Sequence, residues 1–239
     1  MKPLASLKQP ANPVLIFWIA IGLVGFFAVP WYGVEDFFKF EWLIDGYPFD
    51  ADYAPAAFLL GQAEKLWLAP LILPLLAPFA VLLKRKSDPL YARVLIVAGA
   101  MGLGWIILQG FSIGIRGWNF GWLQVFFGNL NDRQYGMGYG GMLVAVAFLF
   151  LFTQGIAARG AINGDVFVVS SISGIVVIVT IFVFFPIAKM LTAAFITDGG
   201  GYSLSVFASK FFDDRLWGLG CLSGGRCGVA WNSLFLAVL

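Results

Sequence analysis

The apolar positions of this chain fall into long runs separated by short polar stretches, and the runs have membrane-crossing length. A helix needs about 20 consecutive apolar residues to traverse the hydrocarbon core of a bilayer. The first run, Val14 to Trp31, carries no charge and ends on Pro30-Trp31-Tyr32, which fits an interfacial anchor. Lys2 and Lys8 precede it, as in a cleaved signal peptide. The run is long for that role and no clear A-x-A site follows, so an uncleaved helix is the favoured reading. The second run, Leu66 to Leu83, contains Pro70, Pro74 and Pro78 and stops at Lys84-Arg85-Lys86. A kinked or irregular span is expected there, with neighbouring helices satisfying the carbonyls that proline frees. The third and fourth runs extend from Arg93 to Phe111 and from Gly138 to Ala157. The fifth, Val166 to Phe195, includes the β-branched stretch Ile175-Val176-Val177-Ile178-Val179. It is far too long for a strand, so a helix kinked at Pro186 is expected. A sixth run opens at Trp231 and reaches Leu239. As a helix it covers only about 13.5 Å, under half of the roughly 30 Å core. The expectation is that the chain is the front portion of a longer protein.

Composition agrees. Apolar residues are 60% of the chain and charged residues 12%, against roughly 25% in soluble domains. So few charges could not cover a water-exposed surface. The 25 Phe and nine Trp residues suit lipid contact and interfacial belts. A net charge of +2 gives no reason to expect nucleic acid, and the absence of histidine removes the commonest metal ligand and general base.

Five complete crossings put the polar segments on alternate sides. The N-terminus, 84–92 and 158–165 carry Lys2, Lys8, Lys84, Arg85, Lys86 and Arg159, with Arg93 at the boundary, against Asp88 and Asp165. The other set, 32–65, 112–137 and 196–230, carries Lys39, Lys65, Arg116, Arg133, Lys210, Arg215 and Arg226 over a much greater length. It also holds most of the acids, including Glu35, Asp36, Glu41, Asp45, Asp50 and Asp52. The denser cations near helix ends place the first set, and the N-terminus, in the cytoplasm. Cys221 and Cys227 both fall in the 196–230 loop, which this orientation makes extracytoplasmic and oxidising. A disulfide is the favoured reading and a pair of inert thiols the alternative. A zinc site is disfavoured, because two thiolates without histidine fall short of a ligand set.

Little else points to catalysis. Asp50 and Asp52, near Glu64, could do acid–base work or bind a cation, but read more simply as a solvated acidic loop. Ser170, Ser171 and Ser173 suit helix–helix hydrogen bonding better than nucleophilic chemistry. Gly136-x-x-x-Gly140 fits a small-x-x-x-small helix contact, and Gly199-Gly200-Gly201 fits a hinge. No Walker A sequence occurs, so the chain is not expected to hydrolyse ATP itself. Lys189 either snorkels to the interface or has a functional or helix-pairing role. No cofactor is expected.

From Val166 onward the order of features resembles the opening of a type I ABC importer permease, most closely the ferric-iron transport group. The resemblance rests on Phe184-Phe185-Pro186-Ile187-Ala188-Lys189-Met190, Tyr202-Ser203-Leu204, Phe211-Phe212-Asp213-Asp214-Arg215-Leu216-Trp217 and Asn232-Ser233-Leu234. In that family an Asn-Ser-Leu opens the permease core. Residues 1–165 match no part of that core and read as an N-terminal extension of four transmembrane helices; 166–239 read as the first helix, outer loop and start of the permease domain. The family's cytoplasmic Glu-Ala-Ala coupling signature does not occur. The resemblance implies an all-α polytopic bundle in a bacterial inner membrane, working by alternating access. Its partners would be an ABC ATPase, a periplasmic substrate-binding protein and a second permease half. Polyamine, thiamine or sulfate importers share that architecture. The alternative function is a non-transporting structural or assembly membrane protein, and a lipid-acting enzyme is a more distant one.

Overall fold

The computed structural model describes residues 12–33, 38–44, 46–114, 117–130, 134–197 and 202–239. It is mostly helical, and among the described residues three helices are long and apolar enough to cross a membrane: Pro89–Ser112, Tyr139–Ala158 and Val166–Ala194. The two other complete crossings expected from sequence are shorter or broken. The first helix is Pro13–Phe27, with the Asn12 side chain accepting from the Val14 N–H and Pro13 in its first turn. At 15 residues it spans about 22 Å. It stops before Trp31 because Pro30 has no N–H and disfavours helix at the residue before it. The chain then turns extended, and Tyr32–Gly33 pairs antiparallel with Gly136–Met137.

The proline-bearing run alternates turns: 3-10 over Leu66–Leu71, α over Ile72–Leu76 and 3-10 over Ala77–Val81. Pro70 has no N–H to offer the Trp67 carbonyl. That carbonyl instead accepts from Trp105 Nε1 at 2.7 Å and Gln109 Nε2 at 3.3 Å, both on the neighbouring Pro89–Ser112 helix. Pro70 is tolerated because a neighbour supplies the missing donor.

Pro89–Ser112 begins earlier than the Arg93 start expected from hydropathy. Asp88 is its N-cap, accepting from the Leu90 N–H at 2.8 Å, and Pro89 occupies the first turn. A window that scores apolarity misses this polar start signal. The Leu90 hydrogen bond, helped by Lys84 at 3.4 Å, holds the Asp88 carboxyl below its usual range. Because the folded value is depressed, Asp88 stabilises the fold above the ordinary carboxylate range and loses that contribution as pH falls through the folded value. The stability difference between wild type and Asp88→Ala, followed by denaturant titration at a series of pH values, is expected to be present at neutral pH and to vanish in acid.

Tyr139–Ala158 packs against both Pro13–Phe27 and Pro89–Ser112. Leu15, Ile19, Phe26, Leu95, Phe148 and Leu151 are among the residues buried in this core. Close approach depends on glycine. A Cβ on Gly25 would lie 2.8 Å from the Gly140 carbonyl oxygen, so these two backbones touch. This revises the expected Gly136/Gly140 pairing. Gly140 is a contact residue, but its partner is Gly25, whereas Gly136 lies in a strand and faces open space.

The Val166–Ala194 helix carries a π-helical segment at Thr180–Phe184. Pro186 has no N–H for the Phe182 carbonyl, and the Phe185 N–H bonds the Thr180 oxygen, one residue beyond α spacing. The disturbance expected at Pro186 takes this form. The all-α expectation is otherwise modified by two antiparallel two-residue pairs, 32–33 with 136–137 and 113–114 with 117–118.

Two compact units divide the chain, Met1–Val177 and Ile178–Leu239. The division falls inside the Val166–Ala194 helix, whereas the sequence reading divides the chain at its start, between 165 and 166.

Candidate functional site

Within 178–239, short elements are tied together around the cysteines. Leu204–Phe211 and Asp214–Trp217 are helical, the second capped by Asp213, whose Oδ1 accepts from the Arg215 N–H at 2.7 Å. Cys221 and Cys227 are joined by a disulfide with their Cα atoms 4.6 Å apart. Leu219 and Cys227 form an antiparallel bridge, and the Gly228 N–H donates to the Gly218 oxygen at 2.8 Å. Asn232, Ser233 and Leu234 lie on the Val229–Val238 helix. Asn232 Nδ2 donates to the Cys227 carbonyl at 3.3 Å, and Trp231 Nε1 donates to the Trp217 carbonyl at 3.0 Å. The Asn-Ser-Leu segment and the disulfide loop are therefore hydrogen-bonded to each other.

An aromatic series runs through the same unit. Ring centroids are 4.4 Å apart for Phe195–Phe207, 5.6 Å for Phe207–Phe211, 5.7 Å for Phe211–Trp217 and 6.4 Å for Trp217–Trp231. Lys210 Nζ donates to the Ile196 carbonyl at 3.2 Å. Leu204, Phe212 and Leu222 remain exposed. Chemically, the described residues of this unit offer an aromatic and charged surface.

The chain matches no family model, no curated protein and no solved structure.

Among the described residues, the others singled out by sequence do not converge. Asp50 Oδ1 accepts from the Asp52 N–H at 3.0 Å, which spends one carboxylate on a local turn. Among the described residues no group of three His, Cys, Asp or Glu side chains could hold a metal ion. Lys65, beside Glu64, places its ammonium 5.8 Å from the Tyr32 ring centre and 5.3 Å from that of Trp67. Ser170 Oγ lies 2.9 Å from Thr153 Oγ1, a hydrogen bond between helices. Lys189 is half-buried over the Phe185 ring, 5.7 Å from its centre. Gly199, Gly200 and Gly201 lie outside the described residues, as do Lys2, Lys8, Glu35, Asp36, Asp45, Arg116 and Arg133.

Sequence reasoning passed over one polar site. A cavity of about 320 Å³ opens where Pro89–Ser112 begins and Tyr139–Ala158 ends. Lys86, Ser87, Tyr91, Gln154 and Asn163 contribute its polar lining. Gln154 is only 4% exposed, yet neither its amide nitrogen nor its amide oxygen has a hydrogen-bond partner. The signal was there to be read: an amide side chain stands inside an apolar run, where a polar group has a specific reason to be kept. Asn163 and its neighbour Ile162 both have positive φ, 55° and 48°. That conformation is costly for a β-branched residue, and it shapes the loop forming one side of the cavity.

Proposed function

We propose that this chain is the membrane-spanning permease subunit of a binding-protein-dependent ABC importer of a bacterial inner membrane, with ferric iron the favoured cargo. The carrying observation is the ordered set of motifs from Phe184 to Leu234, which begins within the long apolar helix Val166–Ala194 and ends within the shorter apolar helix Val229–Val238. In this reading the chain crosses the bilayer five times from a cytoplasmic N-terminus and begins a sixth crossing at Val229–Val238. Pro13–Phe27 and the proline-broken 66–81 segment serve as the two shorter crossings, which exposed loops and a locally thinned bilayer accommodate. A periplasmic binding protein delivers cargo to the 196–230 surface. Two permease halves then rock between outward- and inward-open states, driven by a separate ATPase.

Two measurements test this. Single cysteines at Ser87 and Ser209 are expected to react with an impermeant thiol reagent from opposite faces of the membrane; reaction from the same face overturns the topology. Deleting 203–217 is expected to reduce cellular uptake of labelled ferric iron at least tenfold at an unchanged level of membrane-inserted protein. Uptake that persists under those conditions overturns the transport reading and favours a structural or assembly role.

A further inference from the structure

The cavity beside Lys86 has the features of a built site. Gln154 lines it, and the buried amide of this side chain has both its donor and its acceptor unused. A buried amide left this way is unfavourable, and its retention in an apolar helix calls for a ligand that offers both an acceptor and a donor. Tyr91 also lines the cavity; it is buried, and its hydroxyl oxygen accepts from Asn12 Nδ2 at 3.1 Å. That bond uses the hydroxyl as an acceptor and leaves the phenolic proton available to a ligand.

Charge decides the rest of the ligand's chemistry. Among the described residues no carboxylate lines the cavity, whereas the exposed Lys86 does. Around it, Lys84, Arg85 and Arg159 outnumber Asp88 and Asp165. Both acids are engaged in capping: Asp88 accepts from the Leu90 N–H and Asp165 from the Val168 N–H at 3.1 Å. Lys84 pairs with Asp88 at 3.4 Å, and among the described residues Lys86 is the cation that lines the cavity. The site thus presents a cation outside and an uncharged donor–acceptor pair inside. Ala157, Ala158 and Val166 form its apolar wall. Its volume lies at the lower edge of the usual ligand-pocket range of about 300–1,000 Å³.

We propose that this cavity binds a glycerol-phosphate group, with the anionic phosphate at Lys86 and the glycerol hydroxyls at Gln154 and Tyr91. The same chemistry is carried by the headgroup of phosphatidylglycerol and by free glycerol 3-phosphate. The cavity sits at the end of two helices of membrane-crossing length, which is the depth of a lipid headgroup. The inference uses the membrane placement proposed above but does not need the transport reading.

The test uses the full 239-residue chain in nanodiscs of phosphatidylcholine containing equal minor fractions of phosphatidylglycerol and phosphatidic acid. Co-retained lipid is read by native mass spectrometry after transfer to detergent. Wild type is expected to retain phosphatidylglycerol in preference to phosphatidylcholine. K86E is expected to weaken that retention about tenfold or more, the size of a lost charge-assisted contact. Gln154→Leu, which keeps the volume and removes an unpaired amide, is expected to fold and to lose discrimination between phosphatidylglycerol and phosphatidic acid, whose headgroup lacks glycerol hydroxyls. Arg85→Gln removes a nearby cation that does not line the cavity and is expected to leave retention unchanged. An equal loss in Arg85→Gln and K86E would mean diffuse attraction to a basic surface and would overturn the site. So would unchanged retention in both K86E and Gln154→Leu. Displacement of the lipid by free glycerol 3-phosphate at micromolar concentration would identify the soluble source, and resistance to it the lipid.

Discussion

Gly99→Leu is expected to leave little folded protein after extraction, and to lower the stability of what remains by about 3 kcal/mol or more. A Cβ at Gly99 would stand 2.6 Å from the Phe148 carbonyl oxygen and 2.6 Å from Phe152 Cβ. Carbon atoms in favourable contact sit about 3.5–4.0 Å apart, so even the first added atom overlaps the facing helix. The obstacle includes backbone, which cannot swing away as a long side chain could. The helices would have to separate, and Phe148, which packs over Gly102 three residues on, would lose its seat with them. Overpacking a core typically costs about 1–3 kcal/mol, and a backbone obstacle puts this case at or above the top of that range. Against a typical stability of about 5–15 kcal/mol, that is a large fraction. Gly104 on the same helix has nothing within 4 Å of its would-be Cβ. Gly104→Leu is therefore expected to be neutral or slightly stabilising, since leucine favours helix over glycine by up to about 1 kcal/mol. Denaturant titration of the two variants checks this, and equal stability for both would refute the close-approach geometry.

The second large effect concerns the unit 178–239. Cys221→Ser is expected to destabilise it by about 2 kcal/mol, the chain-entropy value for a loop this short, given the sequence separation of 6. The consequence reaches beyond the loop, because the same few residues anchor the last helix. Leu219 bridges to Cys227, Gly228 bonds Gly218, and Asn232 bonds the Cys227 carbonyl. Freed of the disulfide, 218–228 is expected to become the first site of limited proteolysis. Trp231, bonded to the Trp217 carbonyl, is expected to report the loosening by fluorescence. A membrane-permeant reductant added to wild type should reproduce the cleavage pattern and add nothing to Cys221→Ser. Identical protease patterns in oxidised, reduced and Cys221→Ser protein would show that hydrogen bonds alone hold the segment.

Much of the candidate site was only half visible beforehand. The cysteines, the Phe-rich stretch and Asn232 were conspicuous as residue types. Their mutual hydrogen bonds were not, because Cys227 with Asn232 and Trp217 with Trp231 are joined by turns whose directions hydropathy does not encode. Gln154 was passed over because its surroundings average to an apolar span, and an average hides one amide. The start of the neighbouring Pro89–Ser112 helix was missed for a related reason. Asp88 and Pro89 form a cap signal, and the same residues count against a span when only apolarity is scored.

The sequence by itself determined the local character of this protein: long charge-free runs that must be helices if they enter lipid, prolines that break 66–81, and a proline that disturbs the helix after Thr180. Each depends on neighbours a few residues away, through missing N–H groups or sustained apolarity. Only the tertiary structure decided that Gly25 meets Gly140 rather than Gly136 acting with it. It also decided that Trp105 and Gln109 satisfy the Trp67 carbonyl, that Tyr32–Gly33 pairs with Gly136–Met137, and that Gln154 faces a cavity instead of a partner. Those facts join residues far apart in the chain, and they follow from how closely backbones can approach, a quantity that no local run of residues contains.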